Sequence, residues 1–188
     1  MQKKADKILS EIFEQNPLNN ANPSNFVHTS YDYYLRRYGS NNSLNGAVFE
    51  EIIIQTLLHN NILPIYSQCK MSFVPNVIFD IILYNENEPI SLSVKTSLRE
   101  RWKQADLEAV ALKYIYRKAK CYLLSNSTAE VNTRKKPENA YLGLDGFVDT
   151  NSVEFDKLIC ELSAKTFEYN KKIPVFTHFT QIDGKYKL

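Results

Sequence analysis

Val77-Ile78-Phe79-Asp80-Ile81-Ile82-Leu83 and Ile90-Ser91-Leu92-Ser93-Val94-Lys95 are two apolar, β-rich runs, each interrupted by one charge at a place where a strand should be buried. The insert Asn85-Glu86-Asn87-Glu88-Pro89 lies between them and supplies turn residues. Together they predict a β-hairpin. With the turn centred near Asn87, positions 80 and 94 fall opposite one another to within a residue, which brings Asp80 and Lys95 to one place on the sheet. An unpaired buried charge is costly, so the two must pair with each other or serve a common ligand. A structural ion pair and an active site both satisfy that requirement.

Working outward, Ile65 to Val74 reads as a preceding strand joined through Pro75-Asn76, giving a three-stranded meander. A helix over about 100 to 118 follows, with Trp102, Ala105, Ala109, Leu112 and Tyr116 along one face. Cys121 to Leu124 then reads as a buried strand beside the meander. Upstream, a helix over roughly 46 to 60, led in by Ser43 to Gly46, carries Val48, Ile52 and Leu57 together with Glu50 and Glu51. A first helix over 3 to 15 is ended by Asn16-Pro17, and the Asn-rich stretch from Leu18 to Asn45 is broken only by the aromatic and basic cluster Tyr31 to Tyr38. Downstream, residues 126 to 140 are polar and read as an exposed loop with Arg134-Lys135-Lys136. A strand over 146 to 149, a helix over 153 to 169 and a strand over 175 to 179 complete the chain.

The 188 residues are 44% hydrophobic and 23% charged, which suits one soluble α/β domain over 1–188, with an extension over 1–45, a core over 46–125 and additions over 126–188. No apolar run is long enough for a membrane span and the start has no signal-peptide core, so no membrane partner and a cytoplasmic location are expected. Cys69, Cys121 and Cys160 are odd in number and far apart, as reduced core thiols would be. Net charge is only +2, but Lys95 to Lys120 holds eight basic and three acidic residues, a local +5 against −3 elsewhere. Such a basic seam is an electrostatic footprint for nucleic acid. His28, His59 and His178 have no zinc or His-rich nuclease spacing, and there is no phosphate-cradling glycine loop.

Glu108 borders the apolar face of its helix in the stripe Gln104, Glu108, Ala111, Ile115, and so can point back at the sheet. Glu50 lies one turn into the helix before the meander, and Glu51 is the adjacent alternative. Carboxylates and a lysine converging on a strand pair can bind Mg²⁺ and activate water.

The arrangement Glu50, Asp80, Ser93-Val94-Lys95 and Glu108 resembles the PD-(D/E)XK nucleases. It is most similar to type II restriction endonucleases of the EcoRII, NgoMIV and SsoII kind, in which the carboxylate two before the lysine is replaced by a small residue and recovered from the next helix. Here Ser93 is the small residue and Glu108, 13 residues past Lys95, fits the migrated position. The run from Val94 to Gln104 carries the resemblance furthest, and no proline adjoins Asp80, although Pro75 is near.

The resemblance implies a restriction-endonuclease-like fold, a central mixed sheet of the meander plus further strands flanked by helices. It implies Mg²⁺ held by Asp80, Glu108 and the Val94 carbonyl, with Lys95 orienting or helping to deprotonate the attacking water, Glu50 as a supporting or second-metal carboxylate, and Ser93 as a catalytic-site hydroxyl that either bonds a metal-bound water or is structural. Arg99-Glu100-Arg101 would read a GG/CC dinucleotide, since arginine pairs with guanine and a carboxylate with cytosine. Lys103, Arg134, Lys135 and Lys136 would contact double-stranded DNA. A homodimer on a palindromic site and a companion DNA methyltransferase are the expected partners. A repair or junction nuclease, or a DNA-binding protein on the same fold that has lost catalysis, are the alternatives.

Overall fold

The computed structural model describes residues 2–15, 22–136, 139–169 and 175–183. Six strands form one mixed sheet: β1 (Ile65–Met71), β2 (Phe79–Leu83), β3 (Ile90–Val94), β4 (Lys120–Ser125), β5 (Gly146–Asp149) and β6 (Phe176–Ile182), in the order β5-β4-β3-β2-β1-β6. β1, β2 and β3 are the expected antiparallel meander, β6 pairs antiparallel with β1, and β4 and β5 continue parallel from β3. The hairpin register pairs Ile81 with Leu92 and Leu83 with Ile90. Extended by one step it sets residue 80 opposite 93, one residue from the sequence expectation.

Side-chain alternation divides the sheet into two faces. Ile81, Leu83, Ile90, Leu92, Val94 and Leu124 point to the larger core, which is closed by α1 (Gln2–Gln15), α2 (Pro23–Tyr38), α3 (Asn42–His59) and α6 (Val153–Ser163). α3 is the central helix of this layer, with Val48, Phe49, Ile52, Ile53, Thr56 and Leu57 fully buried. The other face is covered by α4 (Arg101–Ile115) and α5 (Thr128–Arg134). Ala105, Ala109 and Leu112 of α4 are buried as the periodicity expects, whereas Tyr116 lies just past the helix end. β3 presents Ser91 and Ser93 to this side, small residues beneath a close-packed helix.

Two helices depart from the sequence reading. Residues 23–38 are helical, with Pro23 in the first turn and Phe26, Val27, Ser30, Tyr31 and Tyr34 buried. Asp156 of α6 accepts from the Ser24 amide at 2.8 Å and its hydroxyl at 2.9 Å, so the start of α2 is tied by a residue 132 positions away. Within the stretch read as an exposed loop, α5 forms because Val131 is fully buried against Leu98, Ala105, Leu123 and Phe147. The last helix stops at Ser163 rather than 169. Cys69 and Cys121 are buried free thiols, and Cys160 is an exposed one rather than a core residue. No helix among the described residues is long and apolar enough to cross a membrane.

α4 is anchored by a buried acid. Asp106 accepts backbone N–H bonds from Leu142, Gly143 and Leu144 at 3.0, 2.9 and 2.9 Å, which draws this loop onto the helix. Approach is so close that a Cβ on Gly143 would lie 2.4 Å from the Val110 nitrogen. Gly143→Ala must therefore shift backbone, and urea unfolding should show a loss of roughly 1–3 kcal/mol. An unchanged midpoint would contradict this packing.

Candidate active site

The site lies where β2 begins and β3 ends, on the side covered by α4. Asp80 sits near the start of β2 with its side chain 15% exposed, and Lys95, 14% exposed, follows β3 directly. Lys95 Nζ donates to Asp80 Oδ2 at 2.5 Å, the Val94 amide donates to the same oxygen at 2.8 Å, and the Ser93 hydroxyl lies 3.3 Å from it. All three contacts converge on Oδ2; among the described residues Oδ1 accepts none. The Val94 amide thus joins a side chain where it runs off the end of the sheet, while the Lys95 amide goes to Leu124 O on β4 at 3.0 Å.

Two further carboxylates act on this pair. Burial raises the pKa of Glu108 on α4; its Oε1 accepts a bond from Gln104 at 2.7 Å, and the field of Asp80 reinforces the upward shift while Lys95 opposes it. Burial likewise pushes Glu50 on α3 up to about 7; Gln68 and Lys95 pull it back, and Asp80 and Glu51 push it further. Of the two adjacent acids on α3, Glu50 is the one turned to the sheet: Gln68 Nε2 donates to both of its oxygens, at 2.8 and 2.9 Å. Glu51 accepts instead from Gln55 within its own helix.

Gln68 went unnoticed in sequence because it looks like any exposed strand residue. It sits at an irregularity of β1, where pairing with β6 slips between Ser67 and Lys70, with a left-handed φ of 46°. A bulge of this kind turns a side chain out of the strand's alternation, and here it aims an amide at Glu50.

The basic residues are sorted by their neighbours. Arg99 and Arg101 are exposed and make no ion pair with the described residues. Glu100 pairs with Lys103 at 2.5 Å, Lys135 pairs with Glu154, and Lys136 is exposed. Arg134 lies over the Trp102 ring at 4.8 Å. Of the other residues in the basic seam, Lys113 and Lys120 both reach Asp145.

No family model matches the sequence, and no curated protein matches it either. Among solved structures, that of the restriction endonuclease PspGI in complex with substrate DNA superposes with a TM-score of 0.52 at 16% identity, covering 86% of this chain and 82% of that one. The chain has a restriction-endonuclease-like fold.

Within this fold, the residues at the end of the β2–β3 hairpin suit a hard divalent cation such as Mg²⁺, which takes oxygen ligands and is commonly held by only one or two carboxylates. Asp80 offers Oδ1, and Glu50 and Glu108, whose pKa values are raised first by burial and then by the field of Asp80, are carboxylates whose charged form a cation would favour. Among the described residues no three acidic, histidine or cysteine side chains already stand as a metal cluster, so the donors would have to close around an ion.

The Glu50 shift carries a stability cost of definite sign. Its folded-state pKa of about 7 lies above the ordinary value of 4.5, so the native state holds the proton more tightly and stability falls as pH rises between those values. Glu50→Gln removes this penalty in the field of Asp80, Lys95 and Glu51. Without divalent metal, thermal melts should show the variant more stable than the parent above pH 7, by on the order of 2 kcal/mol, and nearly equal to it at pH 4.

Proposed function

We propose that the chain is a Mg²⁺-dependent type II restriction endonuclease that hydrolyses phosphodiester bonds in double-stranded DNA at a short palindromic site containing GG/CC. The observation that carries this reading is the convergence of Lys95, the Val94 amide and the Ser93 hydroxyl on one oxygen of Asp80, under the field of Glu50 and Glu108, at the sheet end of a restriction-endonuclease-like fold.

In this reading Asp80 and Glu108, with the Val94 carbonyl, hold Mg²⁺, which when bound supplies Lewis-acid polarisation of the scissile phosphate. Lys95 orients the attacking water and, as a fixed cation at low exposure, stabilises the extra negative charge that develops on the phosphate as water adds. Asp80 holds the Lys95 ammonium in place through Oδ2 and keeps Oδ1 for the ion. Glu50, fixed by Gln68, adds negative charge behind the site and so favours a cation there. Ser93 is a structural hydroxyl that helps orient Asp80.

Arg99, Glu100 and Arg101 form the reading element, free to face a groove because both arginines are exposed. Glu100 must leave Lys103 to accept from cytosine, and Lys103 is then released toward the DNA backbone. A palindrome presents two equivalent half-sites, so the working form is a homodimer, and a methyltransferase of the same specificity protects the host.

Digestion of purified phage DNA with Mg²⁺ tests this directly. The intact protein should give discrete fragments, while Lys95→Ala and Asp80→Asn should each slow cleavage by about 10²–10³-fold or more. Glu108→Gln should do the same if the carboxylate has moved from position 93 to α4. A smear or nicking only at branched DNA would favour a repair or junction nuclease. Binding without cleavage in either Mg²⁺ or Mn²⁺ would leave a DNA-binding protein that has lost catalysis.

A further inference from the structure

Leu98, Arg99, Ala129, Glu130, Thr133 and Arg134 enclose a cleft of about 190 Å³ between α5 and the chain that follows Lys95. Its carboxylate is already committed: Glu130 accepts the Leu98 amide at 2.7 Å and the Ser97 hydroxyl at 3.3 Å, which fixes the chain two and three residues past Lys95. The charge left over belongs to two guanidinium groups. Arg134 lies over Trp102, whose ring meets Tyr141 edge to face at 5.5 Å, and the Tyr141 hydroxyl donates to the Arg134 carbonyl at 2.6 Å. Cation–π attraction holds a guanidinium over the ring while its N–H groups stay available to an acceptor. Arg99 also lines the cleft and has no ion-pair partner among the described residues.

A guanidinium held over a ring beside the segment that Glu130 fixes can present its fork to two oxygens at once, the bidentate geometry that a phosphate accepts. We propose that Arg134 at this cleft binds a backbone phosphate of the DNA duplex, while Arg99 stays with the reading element. The inference rests on the nuclease reading above. Arg134 then positions the duplex against Lys95 and carries no sequence information itself, and α5, through Glu130 and Arg134, sets both the protein segment and the DNA strand that meet at the site.

The test is the salt dependence of binding to labelled duplexes of several sequences, without divalent metal so that nothing is cut. Loss of one phosphate contact lowers the slope of log K against log salt by about 0.9. Arg134→Gln should show that drop and weaken every duplex by the same factor, while Arg134→Lys should keep the slope and bind with intermediate affinity. An unchanged slope, or a loss confined to one sequence, overturns the proposal. So does tight binding of inorganic phosphate to the DNA-free protein with no effect of Arg134→Gln on DNA. Thr133→Glu covers the case in which Arg134→Gln does not fold: a carboxylate at the cleft wall should weaken all duplexes at least tenfold at low salt, and unaltered affinity would overturn the proposal. Absence of DNA binding by the parent protein would instead remove the nuclease reading.

Discussion

A carboxylate largely withdrawn from water organises this end of the molecule. Asp80 lies in an apolar strand, and the cost of desolvating it is met only because an ammonium, an amide and a hydroxyl converge on one of its oxygens. Those donors come from three consecutive residues, so β3 must end at Val94 and the chain must leave the sheet at Lys95. The departure sets the start of α4 and brings Arg99 to Arg101 out at the surface. A hydrophobic pair in the same two places would hold the hairpin at lower cost, which argues that the charges are kept for what they do.

In the proposed site the second acid beside Asp80 is on a helix instead of the central strand. With serine at position 93, all five residues of β3 are buried. Glu108 meets the same electrostatic neighbourhood from the rim of α4, where burial raises its pKa without enclosing it fully. The site is thus distributed over β2, β3, α4 and α3, and its geometry rests on how helices pack on the sheet as much as on strand register. In the basic seam Glu100 pairs with Lys103 and Asp145 with Lys113 and Lys120, while Arg99, Arg101, Arg117 and Lys118 are exposed with no ion pair among the described residues.

The hairpin, its register to within one residue, the meander and the buried stripe of α4 were legible because each follows from local periodicity and turn residues. What escaped was specified by distant partners. α2 lies in an Asn-rich stretch and carries four tyrosines, which together look like a loop, yet Pro23 opens it and Phe26, Val27, Ser30, Tyr31 and Tyr34 keep helical spacing. The hydroxyls of Tyr33 and Tyr38 donate to Glu11 and that of Tyr34 to Asn45. α5 is seven residues long and has one fully buried side chain, too little for a periodic signal. Gln68 and Glu130 each act through a bond to a residue far along the chain. The Asp80–Lys95 pair was legible in sequence because a charge inside an apolar strand is conspicuous, whereas a polar residue that merely supports one is not.

The loop held by Asp106 has a consequence in time. β4 is the neighbour of β3, and α4 is fastened from outside by the backbone of Leu142, Gly143 and Leu144. On a growing chain, the hairpin that carries Asp80 and Lys95 and the sheet residues beneath Ala109 and Leu112 are made first, whereas the three bonds to Asp106 can form only after Leu144 has been made, so this fastening is the last to be added to the helix that bears Glu108.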